Sequence, residues 1–407
     1  MLRRTLLLSV ASMALWGCTS APSNGQEPVR PAPRLTNTSD DFDVALYRQI
    51  ASQPGNQFVS PYSVSAAFSL LYPGARGDTA TEMAAVFGFD STQATATEAA
   101  RTKAIALRAQ TGGSELSIAN AAWVERTMAL DPDYARSVSE TLGATIAPLD
   151  FIHEPQASLN AINAWAAQNT HDRIRQILST PDPSRRLVLT NAVYFKGEWS
   201  DQFEARATRD GPFRPASGAD TTAHLMHQTT SARYFEEPSF QAAQFDYDQG
   251  AFALAVFLPS DRAGLAAFEQ ALSGASLRGH LQRLANAEPS RLAVTLPKVE
   301  MNASYDLIPP LTRVGLHRAF DHADFSGVTQ QETLAISAVV QKTFLAIDEK
   351  GTEAAAVTAI DMVATAVMRP PEDPPIPFVA DHPFFIVLHH KPSGTLLFLG
   401  RVATAGA

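Results

Sequence analysis

Apolar residues recur at two periods along this chain, and each period predicts a different kind of element. In "DDFDVALYRQI", Phe42, Leu46 and Ile50 fall at helical spacing, which predicts a helix. "SPYSVSAAFSLLYPGARGDTATEM" carries a second helix, small-faced along Ser63, Ala66 and Ala67 and broken at Pro73-Gly74. Thr79 and Glu82 stand in the T-x-x-E order of a capping box, which predicts that Thr79 opens the next helix. That helix start and its glycine turn also account for the triplet Arg76-Gly77-Asp78 without an adhesive role. "LNAINAWAAQNTHDRIRQIL" reads as one amphipathic helix, with Ile162, Trp165, Ile174 and Ile177 near one side. The strands alternate or are apolar throughout. "ELSIANAAWVE", "RLVLTNAVYFKGEW" and "RLAVTLPKVEM" each predict one strand, and "AFALAVFLP" predicts a strand covered on both faces. "FFIVLHHKPSGTLLFLGRV" predicts a hairpin turning at Lys391-Pro392-Ser393-Gly394. No repeat occurs, and composition does not shift again after Asp40, so one mixed α+β domain is expected.

One stretch fits none of these elements. "EKGTEAAAVTAIDMVATAVMRPPEDPPIP" runs from Glu349 to Pro377 and consists mostly of small or β-branched residues before a cluster of prolines. Counted by twos, Thr352, Ala354, Ala356, Thr358, Ile360 and Met362 share one face, which has no charge and begins with small side chains. Glu353, Ala355, Val357, Ala359, Asp361 and Val363 share the other, which holds both acids. The pattern suits entry into a sheet with Glu353 and Asp361 toward solvent, and Gly351 supplies a hinge ahead of it. Pro370 to Pro377 forbid pairing beyond. The segment reads as a strand able to pair but held away as a loop.

The chain has 407 residues, 45% hydrophobic and 18% charged, which is globular composition. A net charge of -9 argues against nucleic acid and against an anionic membrane surface. Between Ser91 and Gln110 the bases are Arg101, Lys103 and Arg108, read as a solvated helix face. The N-terminus "MLRRTLLLSVASMALWGC" has a basic start and an apolar run from Leu6 to Trp16. That run is short of the roughly 20 residues a spanning helix needs. It ends at Cys18, the single cysteine, in a sequence that resembles a bacterial lipobox, with Trp16 bulky for its slot. Residues 1–17 are therefore expected to be a lipoprotein signal peptide and Cys18 the lipid attachment site. Simple secretion, with Cys18 removed, is the other reading. Thr19 and Ser20 follow the cysteine. Neither is the aspartate that resembles an inner-membrane retention signal, so the outer membrane is the expected address. Residues 18–40 read as a flexible tether, and 41–407 as the folded domain.

Motifs for catalysis are missing. No G-x-S-x-G, P-loop, H-E-x-x-H or G-x-G-x-x-G occurs. His224 and His227, and the adjacent His389 and His390, lack the partners of a metal site and read as ordinary histidines. A lone cysteine excludes disulfides within the chain.

The sequence resembles the serpins, the serine protease inhibitor family. "NQFVSPYSVSAAFSLLYPGARGDTATEM", "LTNAVYFKGEW", "ADFSGVT" with "ISAVVQKTFLAIDEKGTEAAAVTA", "FVADHPFFIVL" and "GTLLFLGRV" carry the match over roughly Phe42 to Val402. The resemblance implies three β-sheets, eight or nine helices and an exposed reactive loop. It also implies a metastable native state; separately, no cofactor or metal is expected from the residues. A protease cuts the loop as substrate, and the hinge then inserts into the main sheet while the acyl-enzyme persists. About ten new backbone hydrogen bonds, at a net of about 1 kcal/mol each, would drive that motion. The hinge would be Glu349, Gly351, Thr352, Glu353, Ala354, Ala355 and Ala356. Ser60, Ser63, Asn191 and Gln341 match the region where the main sheet opens, with Gln341 standing where the family usually has histidine. Trp199, Lys298 and Glu349 match the point of loop entry, with Lys298 and Glu349 as an ion pair.

Counting about sixteen residues from Glu349 places the scissile bond at Thr365–Ala366. Counting back from Pro383 places it later, near Glu372, and the forward count is preferred because slack beyond the cut can be absorbed. The small apolar neighbours suit an elastase-like or subtilisin-like serine protease. Met368 would suit a chymotrypsin-like enzyme, and Pro370 blocks cleavage after Arg369. The expected activity is suicide inhibition by a monomer, not catalysis. A non-inhibitory serpin-like binding module is the alternative, and a periplasmic hydrolase has no residue to nominate.

Overall fold

The computed structural model describes residues 39–90, 92–108, 114–142, 145–248, 250–330, 334–352 and 373–406. Among them are nine α-helices: α1 (Ser39–Ile50), α2 (Pro61–Leu71), α3 (Gly77–Phe87), α4 (Gln93–Arg108), α5 (Pro132–Leu142), α6 (Pro155–Asn169), α7 (Leu265–Ala271), α8 (Gly274–Asn286) and α9 (Ile308–Arg313). The strands are β1 (Gln57–Val59), β2 (Glu115–Glu125), β3 (Thr145–Leu149), β4 (Leu187–Glu198), β5 (Arg209–Phe213), β6 (Thr221–Glu237), β7 (Phe240–Asp246), β8 (Phe252–Pro259), β9 (Pro289–Pro297), β10 (Val299–Asp306), β11 (Ala338–Ile347), β12 (Gly351–Thr352), β13 (Ile376–Val379), β14 (Phe384–His390) and β15 (Thr395–Val402).

The main sheet has six strands in the order β10-β11-β12-β4-β2-β3. Near its middle, β11 and β4 pair directly and in parallel, from Ala338↔Val188 to Phe344↔Tyr194. At one end of that seam β12 lies between them, antiparallel to both. The remaining nine strands form one hydrogen-bonded network, β1-β15-β14-β8-β7-β6-β9-β13, with β5 on β6. The long β6 serves two groups. Leu225 to Arg233 pair with β9, and Arg233 to Glu237 pair with β7. The network is therefore two sheets joined through β6, which makes three with the main sheet. The mixed α+β class and its expected helices and sheets are present.

One face of the main sheet carries α6. Phe151, Ile162, Ala166, Ile174 and Ile177 pack there on Trp123, Val188 and Ala192. A larger core gathers α1, α2 and α3 over β14, β15 and the far side of the main sheet, with Phe42, Phe68 and Phe87 in ring contact.

Three expectations need correction. Thr79 does not cap α3. The helix opens at Gly77 with Arg76 as its N-cap, Thr79 Oγ1 accepts from Asp324 N, and Glu82 accepts from His317 N and Arg318 N. Both side chains are spent on the distant 317–324 segment instead of the helix end. The helix expected through Ile177 stops at Asn169. His171 and Asp172 take left-handed backbone (φ 47 and 63), which no helix continues through. "RLAVTLPKVEM" is two strands in two sheets, β9 and β10, joined at Lys298. The folded part also begins slightly early, since α1 opens at Ser39.

Candidate functional site

The site lies at the head of the β4–β11 seam, around β12. Gly351 pairs with Glu198, and Thr352 pairs with Gly197 on β4 and Ile347 on β11. The expected hinge glycine is thus already inside the sheet. Its backbone (φ 152) and its closeness to β4 both demand glycine, because a Cβ there would stand 2.0 Å from Gly197 O. Thr352 is 0% exposed, and its hydroxyl meets Tyr247 Oη at 2.7 Å. Tyr247 is itself fully buried and stacks on Trp199, with centroids 4.4 Å apart and planes at 16°. Burial holds the Tyr247 hydroxyl protonated far above the ordinary phenol range.

Trp199 anchors the turn before the hinge from two atoms. Its indole Nε1 donates to Asp348 O (2.9 Å) and its backbone N to Lys350 O (2.7 Å). Phe203 N donates to Glu349 O. The Glu349 carboxylate takes Lys298 Nζ at 2.8 Å and a hydrogen bond from Thr208 Oγ1 at 2.8 Å. Burial alone would raise its pKa. The Lys298 ammonium and the hydrogen bonds outweigh burial, and the carboxyl is held below its usual range. Trp199, Lys298 and Glu349 therefore meet at one place. Lys298 reaches it because the chain changes sheets there, with its backbone N bonded to His224 O.

Further down the seam a second cluster forms. Gln341 on β11 donates from Nε2 to Ser60 O (2.9 Å) and to Asn191 Oδ1 (2.6 Å), and its Oε1 accepts from Ser60 N (3.0 Å). Asn191 on β4 donates to Ser63 Oγ and to Asn120 Oδ1 on β2. Ser60 Oγ donates to Leu397 O and accepts from Ser63 N, so it also caps α2. Ser60, Ser63, Asn191 and Gln341 are all buried. The cluster bridges β11 and β4, so any strand entering the seam must part Gln341 from Asn191.

Glu353, Ala354, Ala355, Ala356, Thr365, Ala366 and Cys18 lie outside the described residues. Two participants escape a sequence reading, Tyr247 and Asn120. Tyr247 sits in "FDYDQG", where no periodicity marks it, and Asn120 is one polar residue among several on β2. Among the described residues no group of three or more His, Cys, Asp or Glu could hold a metal ion.

A family model described as Serpin (serine protease inhibitor) matches residues 37–405, nearly the whole described chain. This chain belongs to the serpin family. An uncharacterised serpin-like protein of Thermococcus kodakarensis is 36% identical over 90% of this serpin and 85% of its own length. Leukocyte elastase inhibitor of Sus scrofa is 33% identical over 91% and 99%. Human thyroxine-binding globulin in complex with thyroxine superposes with a TM-score of 0.81 at 25% identity, over 92% of this serpin and 99% of that chain. The thermophilic serpin tengpin in its native state gives the same score and identity over 91% and 94%. The family thus includes a protein named as an elastase inhibitor and one named as a thyroxine-binding globulin.

Proposed function

We propose that this serpin inhibits serine proteases by offering its loop as substrate and drawing the cut hinge into the β4–β11 seam. The observation that carries the reading is the seat of Thr352. It is fully buried, paired on both sides and satisfied at its hydroxyl, so the first inward-facing position of the loop already fits the sheet. The next inward positions in sequence, Ala354 and Ala356, are smaller still and ask for no cavity.

In this mechanism the protease serine attacks the carbonyl of Thr365. The Thr365–Ala366 amide breaks, the new amino group of Ala366 departs, and Thr365 remains esterified to the serine. The hinge then zips down the seam, parting Gln341 from Asn191, and carries the ester with it. Hydrolysis is lost because the enzyme's catalytic groups are pulled from register. The small residues from Val363 to Val367 favour a shallow, uncharged specificity pocket, of elastase-like or subtilisin-like type. We place the protein outside the cytoplasm, anchored through lipid on Cys18.

The test is incubation with elastase, subtilisin and trypsin, followed by boiling in detergent and electrophoresis. A covalent serpin–protease band is expected with the first two, together with a released C-terminal peptide beginning at Ala366 by mass. Loop cleavage without any stable band would support the binding-module reading, and a peptide beginning beyond Pro370 would move the reactive bond.

A further inference from the structure

The pairings at β12 fix where each residue of an entering strand would fall. Thr352 lies opposite Gly197 on β4 and Ile347 on β11. Each further residue would move one place back along β4 and one place back along β11. Side chains alternate across a sheet, so Thr358 and Ile360 would share the face of Thr352. There Thr358 comes level with Asn191 and Gln341, the two side chains that must part, and Ile360 with Leu189 and Val339. Polar meets polar at the first level, and apolar meets apolar at the second.

The opposite face carries the charge. On it Glu353 comes directly opposite Lys196 on β4, with Ala346 on its β11 side. Lys196 is half-buried, and among the described residues its ammonium has no hydrogen bond or ion pair. Two acids stand near it, and both are engaged elsewhere. Glu115, across from it on β2, takes His171 Nε2 at 2.5 Å, and Glu198 accepts from Gln202. The next level on this face holds Tyr194, with the His171 ring against it, and Phe344, with the Arg173 guanidinium over it. The residue that arrives there is Ala355, small enough to pass beneath both. Farther down, Asp361 comes level with Val188, one diagonal step from Arg186. Arg186 Nη1 donates to Pro183 O and Arg185 O, and the side chain forms no ion pair among the described residues. Lys342 comes level with Val357 and gains no acid.

We propose that Lys196 is a positioning residue for loop insertion, its ammonium taking the Glu353 carboxylate as the strand enters and fixing the register of everything that follows. Residues directly opposite on neighbouring strands have Cβ atoms about 4.5–5.5 Å apart, within reach of an ion pair. A slip of one residue would turn Glu353 to the buried face. A slip of two would set it on Tyr194 in one direction and on the like charge of Glu198 in the other. The inference rests on the insertion reading and adds to it the residue that sets the register.

The test combines Glu353→Lys with Lys196→Gln in the full chain. Two quantities are read: the moles of serpin consumed per mole of elastase trapped, and the rise in melting temperature when the loop is cut. Glu353→Lys sets two ammonium groups against each other. It is expected to raise the consumption ratio about threefold or more and to shrink the rise in melting temperature. Adding Lys196→Gln should relieve most of both effects, whereas alone it should raise the ratio slightly. A merely structural role for Lys196 would make the second substitution add to the first. Should Glu353→Lys not fold, Glu353→Gln serves in its place, and its effect and that of Lys196→Gln should not add. If the wild type traps protease and gains stability on cutting, yet Lys196→Gln leaves or deepens the Glu353→Lys defect, this inference alone is overturned. If the wild type neither traps protease nor gains stability on cutting, the insertion reading falls and this inference falls with it.

Discussion

His389 and His390 sit side by side on β14, both buried, and Nε2 of each lacks a partner among the described residues. Burial, reinforced by Lys391 and His390, pushes the His389 pKa down to about 4. An unfolded histidine titrates near 6.5, so between about 6.5 and about 4 the unfolded chain binds the extra proton. Stability is therefore full above that window and lost as pH falls through it, by on the order of 3 kcal/mol from this residue. The urea midpoint should drop between pH 7 and pH 4.5, and His389→Gln should reduce the drop, the remainder coming from His390, His280 and His227, whose pKa values burial also lowers. A wild-type midpoint unchanged over that range would refute the account. The sequence shows the apolar run that buries this pair but not what faces it. Individual side chains at the seam were more legible. Ser60, Ser63, Asn191 and Gln341 were nameable from the family pattern, and so were Trp199, Lys298 and Glu349. Tyr247 was not, because it meets Thr352 only through a tertiary contact 105 residues apart.

Among elements, β12 is the shortest strand and has two partners. Its inward residue leaves room for a small side chain only. Thr352→Arg would bury a guanidinium beside Tyr247, at a cost of several kcal/mol. The loop should then be cut as an ordinary substrate, with the moles of inhibitor consumed per mole of protease trapped rising severalfold. Unchanged stoichiometry would show that insertion does not pass through this position. Elements were legible where one period ran from cap to cap, as in β2, whose span matches "ELSIANAAWVE". They were misread where the period outlived the element. The alternation of β9 continues through Lys298 into β10, and period says nothing about which sheet receives a strand. Ile174 and Ile177 keep helical spacing because they pack in the same cluster as Ile162, although the backbone has left the helix.

For the whole molecule, the proposed lipid anchor has a test of its own. Among the described residues no helix is long and apolar enough to cross a membrane, and lipid on Cys18 would add about 0.8 kcal/mol per buried CH₂. Cys18→Ser should move the protein from the membrane to the soluble fraction on cell fractionation, with protease trapping intact. Retention in the membrane fraction would remove the lipid from the account. The parallel pairing of β4 with β11 has a consequence of its own. Parallel ladders are slanted and slightly weaker per residue than antiparallel ones. A strand running on from Thr352 would be antiparallel to both neighbours, as its two existing pairings are. Unfastening the seam therefore gives up one poor row of bonds and permits two good ones. In the proposed insertion the resting sheet would act as a spring with a ratchet: each residue admitted would make the next step downhill and the reverse step harder.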